Sequence, residues 1–197
     1  MNKKLLVSVL FCFLVFVLGT FFAWGQVKDE DKEKELTTKL ELFLAEKGKL
    51  IVKDFYTLGK VVGSYQTSVE LDAMVLYVAG EEVEKVRGLR FTVNGGGRLD
   101  RSSISFLDLE EIEGLVKAVD YMISLAKGMA AVQKDYTEIE FSTQGDFCIG
   151  FYQKGIKQKA FLSSGRIGRV VVHFSKMEKL NSIKVLADKG LEVLSEK

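Results

Sequence analysis

The chain has 197 residues, and its 28 lysines and arginines almost balance its 27 aspartates and glutamates. A charge this close to neutral excludes a bulk attraction for nucleic acid or anionic lipid and leaves only a local charged patch open. Beyond residue 25, roughly 170 residues remain, which suits one domain and can bury a core without a disulfide or a metal.

The first 25 residues have the pattern of a secretory signal peptide. Lys3 and Lys4 precede an uncharged apolar run, Leu5–Trp24, and the small residues Ala23 and Gly25 stand at the two positions that a signal peptidase reads. We therefore expect residues 1–25 to be removed and the rest to be exported to a periplasmic or extracellular location. The alternative is that the run Leu5–Trp24 stays as a membrane anchor with the domain outside the cytoplasm.

The chain after residue 25 has a charged segment and a single cysteine. Residues 26–34 are almost wholly charged and are expected to form a flexible lead-in to one domain over residues 35–197. Cys12 lies in the apolar run, which leaves Cys148 alone in that domain. An intramolecular disulfide is therefore excluded, and Cys148 is either a buried, inert thiol or part of an intermolecular disulfide.

The domain is expected to begin with a short helix. Leu36, Leu40, Phe43 and Leu44 have helical spacing, and Gly48 is a suitable end. Alternate leucines in the same stretch also fit a strand, which stays the alternative.

Four strand-like segments come next, rich in β-branched and aromatic residues. They cover Leu50–Leu58, Thr67–Ala79, Val83–Asn94 and Arg101–Leu107. The second is apolar on both faces from Ala73 to Val78, which predicts a central strand. In the third, Leu89, Phe91 and Val93 face inward, and Gly95–Gly97 turn the chain toward the fourth.

A long helix is the clearest predicted element. Asp108 is expected to cap it, and Glu111 completes a capping box three residues on. Gly128 is the expected end. One apolar stripe joins Leu109, Ile112, Leu115, Val116, Val119, Met122, Ile123 and Ala126.

The same order of elements then recurs. Strands are predicted over Tyr136–Thr143, from Phe147 to a turn at Lys154 and Gly155, over Gln158–Leu162 and over Arg169–Phe174. Ser175 and Glu178 form a second capping-box pair at the start of a last helix. A short helix followed by two ββββα units in tandem predicts an α+β fold, with antiparallel sheets packed by the two long helices.

Two resemblances arise from these segments. The stretch Ser105–Ile112, running into Leu115–Met122, resembles a strand-to-helix junction of small exported bacterial proteins with no assigned function. The doubled ββββα order resembles the Whirly and PUR folds, which implies a protein that binds single-stranded nucleic acid. The chain has neither the Lys-Gly-Lys-Ala-type strand motif of Whirly proteins nor a PUR repeat signature, so no residue role carries over.

No catalytic, cofactor or metal site is predicted. His173 is the one histidine, and it is expected to face away from Val172 and Phe174 as a surface residue of a sheet. Nucleophilic catalysis would need it, yet no Gly-x-Ser-x-Gly elbow occurs. One histidine and one cysteine are too few for a zinc site, and no calcium-binding loop motif is present.

Five residues are the candidates for contact with a ligand, and His173 is one of them. Arg98 and Arg101 flank the glycine turn and are suited to bind an anion. Lys157 and Lys159 belong to the densest basic cluster of the chain.

That basic cluster spans residues 154–159. With Phe151 and Tyr152 beside it, it has the pattern of a nucleic-acid-binding surface. The alternative is a solvated hairpin, whose lysines discourage aggregation between strands.

Three functions remain open. The leading hypothesis is a non-enzymatic exported module that binds a protein or a small-molecule ligand through a sheet surface, with a homodimer as a further option. The second is a hydrolase built on Asp54, Asp72 and Asp100, which requires two carboxylates within about 10 Å in one cleft. The third is a Whirly-like binder of single-stranded nucleic acid, which export and the balanced charge disfavour. Membrane contact is expected only if the N-terminal segment stays uncleaved.

Overall fold

Three helices and eight strands are present in the computed structural model, which describes residues 36–97, 101–166 and 168–197. In chain order they are α1 (Lys39–Ala45), β1 (Ile51–Val62), β2 (Ser68–Val78), β3 (Glu81–Asn94), β4 (Ser102–Asp108), α2 (Leu109–Met129), β5 (Lys134–Ser142), β6 (Phe147–Gly155), β7 (Lys157–Ser164), β8 (Val170–Phe174) and α3 (Glu178–Ser195). The predicted signal peptide, membrane anchor and charged lead-in lie outside the described residues.

The eight strands form two antiparallel sheets of four strands each, so the predicted α+β class is confirmed. The first sheet has the order β1-β2-β3-β4, and the second has the order β5-β6-β7-β8. Every strand in each sheet pairs with its neighbour in sequence, which makes both sheets meanders.

The predicted short helix is α1, and the strand alternative for this segment is wrong. Thr38 caps α1 through a capping box, in which its hydroxyl accepts from the Glu41 amide. The carboxylate of Asp108 accepts from the amides of Lys39 and Leu40, at 2.7 Å and 3.2 Å. A side chain at the end of β4 therefore fixes the start of α1 against the first sheet.

Strand β2 is central, as its two apolar faces predict. Val69, Leu71 and Val75 face the main core, and Met74 and Leu76 on the opposite face pack with Leu40 of α1 in a smaller cluster. The first sheet is thus covered on one side by the core and on part of its other side by α1.

The main core joins both sheets and the two longer helices. Helix α2 contacts β3 to β6, and α3 contacts β1 to β3 and α2. The rings of Phe91 and Phe147 meet at 4.0 Å between the sheets. The hydroxyls of Ser105 and Ser164 are buried and lie 2.7 Å apart, which links β4 to β7.

One of the two predicted capping boxes is wrong. At the start of α2, the carboxylate of Glu111 accepts from the Asp108 amide as predicted. Helix α3 instead begins at Glu178 after Met177, which is its N-cap residue and makes no side-chain cap. Backbone carbonyls take the place of the Ser175 hydroxyl there, because the Leu180 amide donates to Met177 O at 3.0 Å.

Candidate functional site

The second sheet has one face in the core and one face away from it. Strand alternation puts Phe147, Ile149, Phe151, Ala160, Leu162, Val172 and Phe174 on the core face. The opposite face, which we call the outer face, carries Glu138, Glu140, Cys148, Gly150, Tyr152, Lys159, Phe161, Ser163, Val171 and His173. No described helix covers it, because the contacts of α2 with β5 and β6 come from the core side.

Three aromatic rings cross the outer face diagonally. Tyr136 stacks on Tyr152, with ring centroids 5.9 Å apart and planes at 26°. Tyr152 meets His173 edge to face at 6.5 Å and 89°. Tyr136 is 56% exposed, so the row presents ring surface to solvent at one end. Rings held against one another in this way are fixed in orientation before any ligand binds.

Charged side chains lie on both sides of the aromatic row. The edge strand β5 contributes Glu138 and Glu140, whereas Lys157 and Lys159 lie on β7. Within the described residues these four side chains form no ion pair with each other or with other groups. The hydroxyl of Tyr136 donates to Glu138, and this hydrogen bond raises the pKa of Tyr136.

The thiol of Cys148 is buried in the outer face. Its Sγ donates to Oε2 of Glu140 at 3.2 Å. Burial is the main cause that raises the pKa of Cys148, and the neighbouring Glu140 adds to it. The thiol form is therefore stabilised, in agreement with the predicted inert cysteine rather than a reactive one.

A polar cavity of about 260 Å³ opens at one end of the outer face. Its lining residues are Ser142, Thr143, Asp146, Phe147, Cys148, Gly165, Arg166 and Arg169. Arg166 Nε lies 3.4 Å from Asp146 Oδ1, and Arg169 Nε donates to the Ser163 hydroxyl at 2.7 Å. Each guanidinium is thus already oriented by a neighbouring side chain.

A second cavity, of about 420 Å³, lies between the end of α2 and the start of α3. Ile123, Ala126, Ala130 and Met177 give it apolar walls, and Gln158 lies in its lining. The Gln158 amide donates to Ala126 O at 2.8 Å and to the side chain of Gln153 at 2.8 Å. This part of the cavity lining is therefore held by hydrogen bonds to α2 and to β6.

The predicted contact residues do not form one site. His173 and Lys159 both belong to the outer face, and Lys157 lies at the hairpin end of the same sheet. Arg101 lies beside the first sheet, where its carbonyl accepts from Gly95. Lys157 and Ser164 are seven positions apart along β7, roughly 23 Å, and Arg101 lies near the Ser164 end. Arg98 lies outside the described residues.

The basic cluster also lacks one of its two predicted aromatic partners. Phe151 is fully buried in the core, so its expected place beside the lysines is wrong. Tyr152 does lie on the outer face, next to Lys159 in register. The second ring of the row is instead Tyr136, which pattern reasoning missed because a bulge between Lys134 and Thr137 changes the alternation of β5.

The carboxylates that a hydrolase would use are separated. Register places Asp54 on the core-facing side of the first sheet and Asp72 on its other side. Asp72 is paired with Arg90, whose Nη2 lies 2.7 Å from Oδ2. Asp100 lies outside the described residues. The described residues also hold no cluster of three or more histidine, cysteine, aspartate or glutamate side chains suited to a metal.

None of the helices described here has both the length and the apolar character needed to cross a lipid bilayer. Comparisons of the chain with protein-family models, with curated proteins and with solved structures return no significant match.

Proposed function

We propose that this chain is an exported, non-enzymatic binding module that contacts a protein partner through the outer face of its second sheet. The observation that carries the proposal is the ordered aromatic row of Tyr136, Tyr152 and His173 on a sheet face that no described helix covers. Aromatic residues are enriched at protein interfaces because they bury much area for little loss of conformational entropy.

The charges of the outer face favour a protein partner over a nucleic acid. Glu138 and Glu140 lie on the same face as Lys159, so the surface carries both signs. A groove for single-stranded nucleic acid is instead lined with positive charge along the phosphate path. The Whirly-like alternative is thus less well supported by this surface.

The sheet edges favour binding through the face. Strand β1 has a bulge between Thr57 and Gly59, and β5 has one between Lys134 and Thr137. At the other edge of the second sheet, the Ser64 amide donates to His173 O at 2.7 Å. Bulged or occupied edges resist the addition of another strand, so the broad face is the better contact surface.

The finer architecture is part of the same proposal. We interpret the two ββββα stretches as a tandem pair in which α2 and α3 fill the space against the core faces. Both longer helices are engaged on the core side of the sheets, so neither of them lies on the outer face. The hydrolase alternative receives no support from the separated Asp54 and Asp72.

Export is the second element of the proposal, and mass spectrometry of the native protein tests it. A mature chain that starts at Gln26 supports cleavage of the signal peptide, and an intact Met1 would show that the segment is retained. Recovery of the uncleaved chain from the cell interior in soluble form would contradict export.

The contact surface is tested by one substitution and a matched control. Tyr152→Asp places a carboxylate in the aromatic row, whereas Tyr121→Asp makes the same change at an exposed tyrosine of α2. Photo-cross-linking of the full chain in extracytoplasmic extract is expected to give a defined adduct that Tyr152→Asp abolishes and Tyr121→Asp keeps. Equal adduct formation by the two variants would overturn the proposal, provided that circular dichroism shows both to be folded.

A further inference from the structure

Two connections of the second sheet meet at one end of the outer face and enclose the polar cavity. The turn between β5 and β6 supplies Asp146, and the connection between β7 and β8 supplies Arg166 and Arg169. The Gly165 amide donates to Asp146 O at 3.2 Å. The walls of the cavity therefore come from two segments that a backbone hydrogen bond fixes to each other.

The lining of this cavity has an excess of positive charge. Arg166 and Arg169 are its cations, and Asp146 is its one carboxylate. Asp146 lies against Arg166, whereas Arg169 forms no ion pair within the described residues. Glu140 is outside the lining and accepts from the thiol of Cys148. The cavity thus holds one guanidinium whose charge no carboxylate of the described chain neutralises.

A buried hydroxyl positions that guanidinium. Ser163 is 1% exposed, and its hydroxyl accepts from Nε of Arg169 at 2.7 Å. Ser163 is in register with Cys148, so this bond places Arg169 over the end of the outer face. Burial raises the pKa of Cys148 most strongly, and the nearby charge of Arg169 acts in the opposite direction. The Nη groups of Arg169 make no hydrogen bond within the described residues, so their donors are free for a ligand.

We propose that the polar cavity binds a phosphate group through Arg169 and Arg166, at a site separate from the protein contact. A guanidinium presents parallel N–H donors that match phosphate oxygens, and such charge-assisted bonds are about twice as strong as neutral ones. One guanidinium already satisfies a carboxylate, whereas the terminal oxygens of a phosphate can accept from both arginines and from the hydroxyl of Ser142 in the same lining.

The size of the cavity limits the ligand. Its volume is about 260 Å³, and pockets for drug-sized ligands measure roughly 300–1,000 Å³. A phosphate ion or the phosphate of a small monoester therefore fits better than a nucleotide. Inorganic phosphate and phenyl phosphate represent these two sources in the test.

A titration of the full ¹⁵N-labelled chain, followed by two-dimensional NMR at constant ionic strength, tests the proposal. Inorganic phosphate is expected to cause saturable shifts of the Gly165 and Arg169 amides, and chloride is expected to cause none. Arg169→Gln is expected to weaken binding about tenfold, and Arg169→Lys several-fold because it keeps the charge but loses the paired donors. Lys117→Gln removes the same charge from an exposed position of α2 and is the control that leaves the affinity unchanged.

The thiol of Cys148 gives a second readout close to the site. A bound phosphate opposes ionisation of the neighbouring thiol, so phosphate is expected to slow its alkylation by iodoacetamide. The slowing saturates, with its half-effect at the phosphate concentration that half-saturates the NMR shifts. In Arg169→Gln the same phosphate concentration has much less effect. Arg166→Gln serves as the second variant if circular dichroism shows that Arg169→Gln is not folded.

The two phosphate probes and acetate separate the outcomes. Saturable binding of either probe that Arg169→Gln weakens supports the site, and the tighter probe shows whether the free ion or a monoester is preferred. Saturation by acetate but not by phosphate overturns the assignment to phosphate. Shifts that never saturate, or a phosphate affinity that Arg169→Gln does not alter, overturn the site itself. Tyr152→Asp tests the protein contact independently, so failure of one proposal is distinguishable from failure of the other.

Discussion

Single polar side chains hold distant segments of this molecule together. Asp108 accepts from two amides of α1 while its own amide donates to Glu111. Gln153 is fully buried, and its amide nitrogen donates to Met129 O and Gly155 O, each at 3.1 Å. Leaving such buried partners unsatisfied costs about 1–3 kcal/mol for each group. Residues of this kind fix the ends of helices relative to the sheets.

The thiol of Cys148 provides the prediction at this scale. Glu140 contributes to its raised pKa, so Glu140→Gln is expected to lower the pKa while burial keeps it above its ordinary value. At a given pH near neutrality the thiolate fraction then increases. Alkylation of Cys148 by iodoacetamide is therefore expected to be several-fold faster, and the pH at which its rate is half-maximal is expected to be lower. The rate is measured at low protein concentration. Glu138→Gln, one row away, is the control, and equal rates for both variants would contradict the assignment.

At the scale of elements, strong periodicity made most of the fold predictable. The stripe of α2, the inward face of β3 and the central position of β2 each follow from the spacing of apolar residues, because burial sets that spacing. The turn at Gly155 is also where the sequence places it. These features depend on local chemistry and on one buried face, which a sequence displays directly.

Other features depend on contacts between distant segments, and the sequence does not display them. Strand β1 extends to Val62, beyond the predicted end at Leu58, because a bulge before Gly59 restores its pairing with β2. The position of Tyr136 beside Tyr152 follows from a second bulge. The cavity at Arg166 and Arg169 is formed by separate segments of the second sheet. The candidate site was therefore only partly predictable: the sequence identified His173 and Lys159 as contact residues of this face.

Two helical glycines give the prediction at this scale. A Cβ at Gly128 would meet nothing within 4 Å, so Gly128→Ala is expected to stabilise the protein by about 0.5 kcal/mol through the helix propensity of alanine. A Cβ at Gly190 would lie 2.5 Å from Leu89 Cδ2 and 3.0 Å from Leu58 Cδ1, where α3 packs on the first sheet. Gly190→Ala is expected to destabilise by about 1–3 kcal/mol. Urea unfolding measures the change in the free energy of unfolding for both variants. Stabilisation by Gly190→Ala would show that α3 does not pack closely on the first sheet.

At the scale of the whole molecule, the two sheets share their core. One cluster of buried residues includes side chains from both sheets and from α2 and α3. The ring contact of Phe91 with Phe147 and the hydroxyl contact of Ser105 with Ser164 both cross from one sheet to the other. Because neither sheet has a separate core of comparable size in the described residues, the domain is expected to unfold as one cooperative unit.

This shared core makes a prediction that a single substitution tests. Phe91→Ala removes a fully buried ring from the contact between the sheets and is expected to cost about 3–5 kcal/mol. If the core is common to both sheets, far-UV circular dichroism and tyrosine fluorescence still report one urea transition with the same, lower midpoint. Phe91→Leu keeps most of the apolar volume, so it is expected to lower the urea midpoint by less. This variant replaces Phe91→Ala in the measurement if the alanine variant fails to fold.

Phe55 supplies the control for this measurement, because its ring is 43% exposed and lies 4.2 Å from the Arg90 guanidinium. Phe55→Ala is expected to cost about 1 kcal/mol or less, since it removes mainly a surface cation–π contact. Two separate transitions in either Phe91 variant would mean that each sheet carries its own stability. The outer face would then belong to an independently folding half, and the helices would act as a linker between two small domains rather than as parts of one core.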